Sequence, residues 1–205
     1  MLYLAIVTVM QLLPKQAPKN LIDPIVNFLI SLGITPNMLT ISGFLGSIFA
    51  ACMIATENFL IGGIAVLFFS GLDMFDGAVA RKTRQNSKYG AILDSTLDRF
   101  SEIAILGGIF IYAINDPDEL LAILCFFALS GSLMVSYIRA RGESLGVTLD
   151  NGFAPRPERI IIIAIALIFN LVLYAMLILV AITWITSMQR LIKAKTLLNS
   201  KKGDD

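Results

Sequence analysis

Two pairs of aspartates stand close together in a sequence that is otherwise strongly apolar. Asp73 and Asp76 are three residues apart, and Asp94 and Asp98 are four residues apart. On a helix, both spacings put the two side chains on one face. Both pairs are flanked by sequence apolar enough to cross a membrane. A charged carboxylate costs free energy in such surroundings, so the aspartates indicate a functional site. Four carboxylates brought together also need cations, and divalent metal ions are the natural complement.

Ligands that are all oxygen favour Mg²⁺ or Mn²⁺, and paired divalent ions stabilise the attacking and leaving oxygens of phosphoryl transfer. Gly77 would let a bulky group approach the helix backbone, and the Arg81 guanidinium suits phosphate. The chain has no histidine, which excludes Ser/His and Cys/His mechanisms and leaves acid–base chemistry to carboxylates, Lys or Tyr. The simpler interpretation, in which the aspartates only cap helices or pair with arginines, is disfavoured because four acids in register exceed what capping needs.

The composition predicts an all-α integral membrane protein. Of 205 residues, 57% are apolar and only 15% are charged, against about 25% charged in ordinary soluble domains. The mean hydropathy is +0.80, and apolar stretches of nearly 20 residues recur along the whole length.

Helix-breaking residues divide the apolar sequence into six predicted transmembrane helices. Thr35 and Pro36 have the residue types of an N-cap and a first helical position. The apolar run over residues 160–188 is too long for one span, so we expect a tight hairpin near Asn170. The six spans are then 36–55, 59–80, 91–114, 120–137 and two within 160–188.

Three regions follow from this division. Residues 1–33 form an N-terminal juxtamembrane arm, with an interfacial segment over 1–13 and an amphipathic helix over 21–32. Residues 34–192 form the six-helix catalytic domain, and residues 193–205 form a cytoplasmic tail that is first basic and then acidic.

Charge placement predicts the orientation. With six spans, all 16 Lys and Arg residues lie on one side, whereas the opposite loops carry only acids. By the positive-inside rule, both termini and the aspartates are cytoplasmic, and we expect a multi-pass protein of the cell membrane. A five-span topology would put Arg190 and the lysines after it outside, against the rule.

The aspartates belong to a longer motif that resembles the signature of the CDP-alcohol phosphotransferase family. All eight fixed positions of that signature match with the correct gaps: Asp73, Asp76, Gly77, Ala80, Arg81, Gly90, Asp94 and Asp98. The resemblance implies six transmembrane helices, a homodimer, membrane lipids around it and a CDP-lipid substrate, with no nucleic-acid partner.

The resemblance also implies roles. Asp73, Asp76 and Asp94 would bind two Mg²⁺ (or Mn²⁺) ions. Asp98, close to the second ion, would be the general base that deprotonates an acceptor hydroxyl, which attacks the lipid-linked phosphorus and releases CMP. The nucleotide and its diphosphate would contact Asn37, Met38, Leu39, Thr40, Gly77, Arg81 and Ser87.

The arginine-rich segment with SYIRARGE at residues 136–143 and RPER at residues 156–159 concerns the acceptor. Several arginines near a metal site make an anion pocket, which a phosphorylated acceptor needs and a bare polyol does not. The segment resembles the branch of the family that makes phosphatidylinositol phosphate, although Arg139 stands where that branch commonly has lysine. The resemblance implies that inositol phosphate contacts Ser136, Arg139, Arg159 and Arg190.

Four alternatives compete with this assignment. Glycerol 3-phosphate would need a similar cationic pocket, and CDP-archaeol would meet the same kind of apolar groove as a diacyl CDP-lipid. Intramembrane acids can also mark an ion or proton transporter, but that function favours acids near the bilayer midplane. A catalytically dead scaffold is disfavoured because every aspartate of the signature is present.

Overall fold

The structure is a computed structural model that describes residues 19–149, 152 and 155–201, without the side chains of residues 19–21, 73, 74, 200 and 201. The described ranges contain helices and turns and no strand, so the all-α prediction is confirmed. The seven helices are α1 Lys19–Ser31, α2 Pro36–Ala55, α3 Phe59–Thr83, α4 Lys88–Asn115, α5 Glu119–Ser144, α6 Arg156–Ile168 and α7 Val172–Lys201. The interfacial segment expected over residues 1–13 lies outside the described residues.

Several helix ends follow local sequence chemistry. Thr35 caps α2 as predicted, and its hydroxyl accepts a hydrogen bond from the Met38 N–H. Ser87 caps α4 in the same way, with the Gly90 N–H as donor. The predicted hairpin near Asn170 is confirmed, since α6 ends at Ile168 and Asn170 takes the left-handed conformation (φ 54°) that asparagine tolerates.

Two helices continue beyond the boundaries expected for the spans. The fourth span was expected to end at about residue 137, but α5 continues to Ser144, because Val135, Ile138 and Gly142 extend its buried stripe at helical spacing. The tail expected from residue 193 continues α7 to Lys201, since Lys, Ala and Leu in this segment are good helix formers with no breaker among them.

The helices pack in two groups around one apolar core. α2 lies against α3 and α4, while α5 lies against α7 and α4, and α6 joins the groups through α3 and α7. Close approach depends on glycine: a Cβ at Gly108 of α4 would lie 2.6 Å from the Ala51 carbonyl oxygen of α2. The arm helix α1 packs on α3, where Val26 meets Leu39 and Val79.

Four of the described helices are long and apolar enough to cross a membrane: α2, α3, α5 and α7, the last over Val172–Asn199. Large apolar side chains cover much of the outer surface, among them Phe68, which is 62% exposed. These features are those of a membrane protein. The first half of α4 is too charged to qualify, and the 13 residues of α6 reach only about 20 Å at 1.5 Å per residue.

Candidate active site

A first cavity of about 200 Å³ opens where α2 begins, α3 ends and α4 begins. The caps at Thr35 and Ser87 direct the N-terminal turns of α2 and α4 towards it, and helix N-termini favour anions. The lining residues are Pro36, Asn37, Thr40, Asp76, Gly77, Ala80, Gln85, Asn86, Ser87, Gly90, Ala91 and Asp94.

One wall of the first cavity is ordered by a buried hydrogen bond. The Thr40 hydroxyl of α2 donates to Asp76 Oδ2 of α3 over 2.8 Å, and both side chains are buried. This bond fixes the direction of the Asp76 carboxylate. Thr40, predicted as a nucleotide contact, is therefore also the orienting partner of a predicted metal ligand.

Glycines on the same wall leave room beside polar groups. A Cβ at Gly77 would lie 3.3 Å from Arg81 Nη1, so the guanidinium of Arg81 lies next to this glycine. A Cβ at Gly90 would lie 3.0 Å from Ser87 Oγ and 3.6 Å from Asn37 Oδ1. The polar side chains predicted to contact the nucleotide therefore lie next to these two glycines of the signature.

Three predicted nucleotide residues, Met38, Leu39 and Arg81, line neither cavity, although the Arg81 guanidinium lies beside Gly77. Leu39 is buried where α2 meets α1 and α3, and Met38 is half-exposed on the outer side of α2. Helical geometry explains the difference, because Asn37 and Thr40 are three residues apart and share a face that Met38 and Leu39 do not.

A second cavity of about 360 Å³ lies between α4, α5, α6 and α7. Asp94 lines both cavities, so it marks the point where they meet. The polar and charged lining of the second cavity consists of Asp94, Ser95, Asp98, Arg99, Glu102, Ser136, Arg139, Glu143, Arg156, Arg159 and Arg190. All four predicted acceptor residues are in this set.

Two ion pairs cross from α4 to α6 along the wall of the second cavity. In the outer pair, Arg156 Nη1 lies 2.6 Å from Asp98 Oδ1, and about a quarter of each side chain is exposed. In the inner pair, Arg159 Nε and Nη2 each donate over 2.7 Å to an oxygen of Glu102, and both side chains are 1% exposed.

The remaining arginines of the second cavity are also held. Arg139 pairs with Glu143 one turn later on α5, with 2.8 Å between Nε and Oε1. Arg190 is buried near the end of α7, and its Nη1 donates to the Val135 carbonyl oxygen of α5 over 2.6 Å. Arg99 of α4 donates to the Ser95 carbonyl oxygen one turn earlier, so the cationic side chains approach the cavity from α4, α5, α6 and α7.

Glu102 and Arg156 are the functional candidates that the sequence reasoning missed. A signal for Glu102 was present, since it continues the four-residue repeat of Asp94 and Asp98 on α4. Arg156 stands three residues before Arg159, and on the helix that begins there both face α4.

The carboxylates that the structure describes supply some of the ligands that a divalent ion needs. Asp76 and Asp94 both line the first cavity, and carboxylate oxygens are the ligands that Mg²⁺ and Mn²⁺ prefer. Among the side chains that the structure describes, no three acids lie close enough to share an ion. Asp73 is one turn before Asp76 on α3, and its side chain is outside that set.

Comparison with known proteins decides the family. The family profile described as CDP-alcohol phosphatidyltransferase matches residues 33–189. The chain belongs to the CDP-alcohol phosphatidyltransferase family. That match includes the whole aspartate motif and every residue that lines the two cavities except Arg190.

Relatives within the CDP-alcohol phosphatidyltransferase family are similar over most of the chain. The chain is 44% identical over 178 residues to archaetidylinositol phosphate synthase of Pyrococcus horikoshii, covering 86% of this chain and 92% of that one. It is 35% identical over 159 residues to phosphatidylinositol phosphate synthase of Corynebacterium glutamicum, covering 75% and 71%.

Solved structures agree with this assignment. The crystal structure of Mycobacterium tuberculosis phosphatidylinositol phosphate synthase with CDP-DAG bound matches with a TM-score of 0.79 and 33% identity, covering 85% of this chain and 94% of that one. The structure of the same enzyme in complex with manganese and citrate matches with a TM-score of 0.76 and 34% identity, covering 84% and 88%.

Proposed function

We propose that this protein transfers the lipid-phosphate group of a CDP-lipid to a hydroxyl of inositol phosphate and releases CMP. The observation that carries the proposal is the meeting of two unlike cavities at Asp94. The first cavity has glycines and helix N-termini suited to a diphosphate, and the second has arginines from four helices suited to a separate phosphate.

The CDP-lipid occupies the first cavity. Asn37, Thr40, Gly77 and Ser87 line it, and Arg81 lies beside Gly77. The open backbone at Gly77 and Gly90 admits the nucleotide, and the first turn of α4 faces the negative phosphates. CDP-DAG in the Mycobacterium tuberculosis structure supports a donor of this class.

Asp73, Asp76, Asp94 and Asp98 would hold two Mg²⁺ or Mn²⁺ ions. The manganese in the Mycobacterium tuberculosis structure supports a divalent ion, and the all-carboxylate donor set supports hard cations. Bound ions of this kind supply positive charge that stabilises the diphosphate oxygens and the leaving CMP. Thr40 keeps the Asp76 carboxylate directed for this purpose.

Asp98 acts as the general base. It lines the second cavity beside Asp94, where an acceptor hydroxyl would meet the donor phosphorus. Its carboxylate takes the hydroxyl proton, the freed oxygen bonds to the lipid-linked phosphorus, and the bond from that phosphorus to the CMP oxygen breaks. In a chain without histidine, a carboxylate is the natural base.

A phosphorylated acceptor accounts for the arginines of the second cavity. Ser136, Arg139, Arg159 and Arg190 line it, and guanidinium groups bind phosphate through paired donors. The names of the Pyrococcus horikoshii and Corynebacterium glutamicum relatives support inositol phosphate as that acceptor. They differ in the lipid half, so a diacyl and an archaeol CDP-lipid are both candidate donors.

The bundle crosses the cell membrane six times as a homodimer, with both cavities on the cytoplasmic side. The basic residues at the ends of α3, α5 and α7 and at the start of α6 support this orientation. The arm helix α1 lies on the cytoplasmic surface. Cysteine-accessibility labelling of Thr56→Cys and Thr148→Cys tests the topology, since only the first should react from outside intact cells.

A product assay tests the function. Purified protein is incubated with Mg²⁺, a CDP-lipid (diacyl or archaeol) and one of three acceptors: inositol phosphate, glycerol 3-phosphate or inositol. Mass spectrometry should find a lipid-linked inositol phosphate and CMP in equal amounts. If product forms only with glycerol 3-phosphate, the proposed acceptor is wrong but the proposed class of reaction stands. CMP release without any lipid product would overturn the transferase.

A further inference from the structure

The inner ion pair is unusually protected for a pair on a cavity wall. Glu102 and Arg159 both line the second cavity, yet each side chain is 1% exposed. Both Glu102 oxygens accept from the Nε–Nη2 edge of the guanidinium, at 2.7 Å each. Such a two-point contact fixes the plane of the guanidinium as well as its position.

Stability alone does not explain this pair. Two buried charges lose their hydration free energy, and their mutual attraction barely compensates for this loss. A protein with well-packed apolar side chains of similar volume in their place is often at least as stable. On the core side of the pair, Ile105 of α4 and Ile160 and Ile163 of α6 belong to the buried apolar core. An isolated arginine there would be far more costly than the pair.

The outer pair offers an internal comparison. Asp98 and Arg156 stand one turn before Glu102 and Arg159 on the same two helices, but they are about a quarter exposed, against 1% for the inner pair. The two pairs therefore differ in rigidity although the helices are shared. The inner pair holds its arginine in one orientation, whereas the outer pair lies open to the cavity.

We propose that Glu102 is a positioning residue that holds the Arg159 guanidinium in the orientation needed to bind the phosphate of the acceptor. Glu102 occupies one edge of the guanidinium, and the Nη1 donors lie on the other edge of the same plane. This inference rests on the proposed function, because it assumes a phosphorylated acceptor in the second cavity. Glu102 then determines specificity without touching the reacting atoms.

The direction in which Glu102→Gln changes the acceptor KM distinguishes a positioning role from a simple effect of charge. Glu102→Gln removes a negative charge near a bound anion, so simple electrostatics predicts tighter acceptor binding and a lower KM. Loss of the two-point contact instead predicts a KM for inositol phosphate raised about tenfold, because a hydrogen bond to a charged group is lost or weakened. The KM for the CDP-lipid should stay unchanged.

Two further variants keep the test decisive if Glu102→Gln does not fold. Glu102→Asp keeps the charge and retracts the carboxylate by one methylene, so we expect an intermediate rise in KM. Arg159→Lys keeps the cation without the fork, and it should raise the KM for the acceptor at least as much as Glu102→Gln. Glu119→Gln at the start of α5, exposed and lining neither cavity, is the matched control.

The experiment measures both KM values for wild type and the four variants. A rise in the acceptor KM with an unchanged CDP-lipid KM and a wild-type control supports the positioning role. An acceptor KM that is unchanged or lower in Glu102→Gln and Glu102→Asp overturns it. Wild type without product from inositol phosphate instead refutes the proposed function, and the same KM ratios are then measured with whichever phosphorylated acceptor reacts.

Discussion

Arg156 Nη1 of α6 lies 2.6 Å from Asp98 Oδ1 of α4, so the proposed base has an arginine as a direct neighbour. Arg156 and a divalent ion are both cations that this carboxylate can attract. We therefore expect Arg156 to compete with a divalent ion for the Asp98 carboxylate.

We expect Arg156→Gln to strengthen metal binding. Loss of the positive charge leaves the Asp98 carboxylate to attract cations without competition, and the Mn²⁺ concentration for half-maximal thermal stabilisation should fall about threefold. Arg141→Gln, an exposed arginine on α5 that lines neither cavity, is the control. A midpoint unchanged in both variants would argue that Arg156 does not influence the metal site.

Asp98→Asn should abolish turnover. An amide cannot take the hydroxyl proton, and a general base contributes about 10²- to 10⁴-fold. CMP release measured at saturating acceptor reports the loss, and CDP-lipid binding confirms that the protein is folded. A turnover rate within tenfold of wild type would contradict the assignment of Asp98 as the general base.

Thr40→Val should lower activity by about ten- to a hundredfold, as the loss of an orienting partner of a metal ligand does. Valine matches threonine in shape but cannot donate to Asp76 Oδ2. Thr40→Ser retains the hydroxyl and should stay near wild type. The dependence of the rate on Mg²⁺ concentration distinguishes a weakened metal site from a weakened nucleotide site.

Two adjacent glycines of α4 provide a packing test. A Cβ at Gly108 would lie 2.6 Å from the Ala51 carbonyl oxygen, whereas one at Gly107 meets nothing within 4 Å. Gly108→Ala must separate α2 from α4 and should cost about 1–3 kcal/mol in unfolding free energy. Gly107→Ala should melt at or above the wild-type temperature, because alanine favours helix. Equal melting temperatures would contradict this helix packing.

Local chemistry made much of this fold predictable. Thr35 with Pro36 marks the start of α2, and Asn170 supplies the left-handed turn between α6 and α7, because both signals depend only on neighbouring residues. The spacing of the acids also predicted their helical placement. Helix ends were less predictable where tertiary packing continues a helix through a glycine, as at Gly142 on α5.

The ion-pair partners were not predictable in the same way. Glu102 and Arg159 are 57 residues apart, and their contact depends on how α6 lies relative to α4. The sequence could indicate that an arginine near the site is an anion ligand, but not that a buried glutamate holds it. Such pairing depends on tertiary packing, which local patterns in one sequence do not reveal.

The most direct test compares kcat/KM for inositol phosphate with kcat/KM for unphosphorylated inositol in the wild-type protein. The account predicts a preference of at least about a hundredfold for the phosphorylated acceptor, because several guanidinium groups of the second cavity are left without their anion when inositol binds. A ratio near one would contradict the assignment of the arginine-lined cavity to an acceptor phosphate.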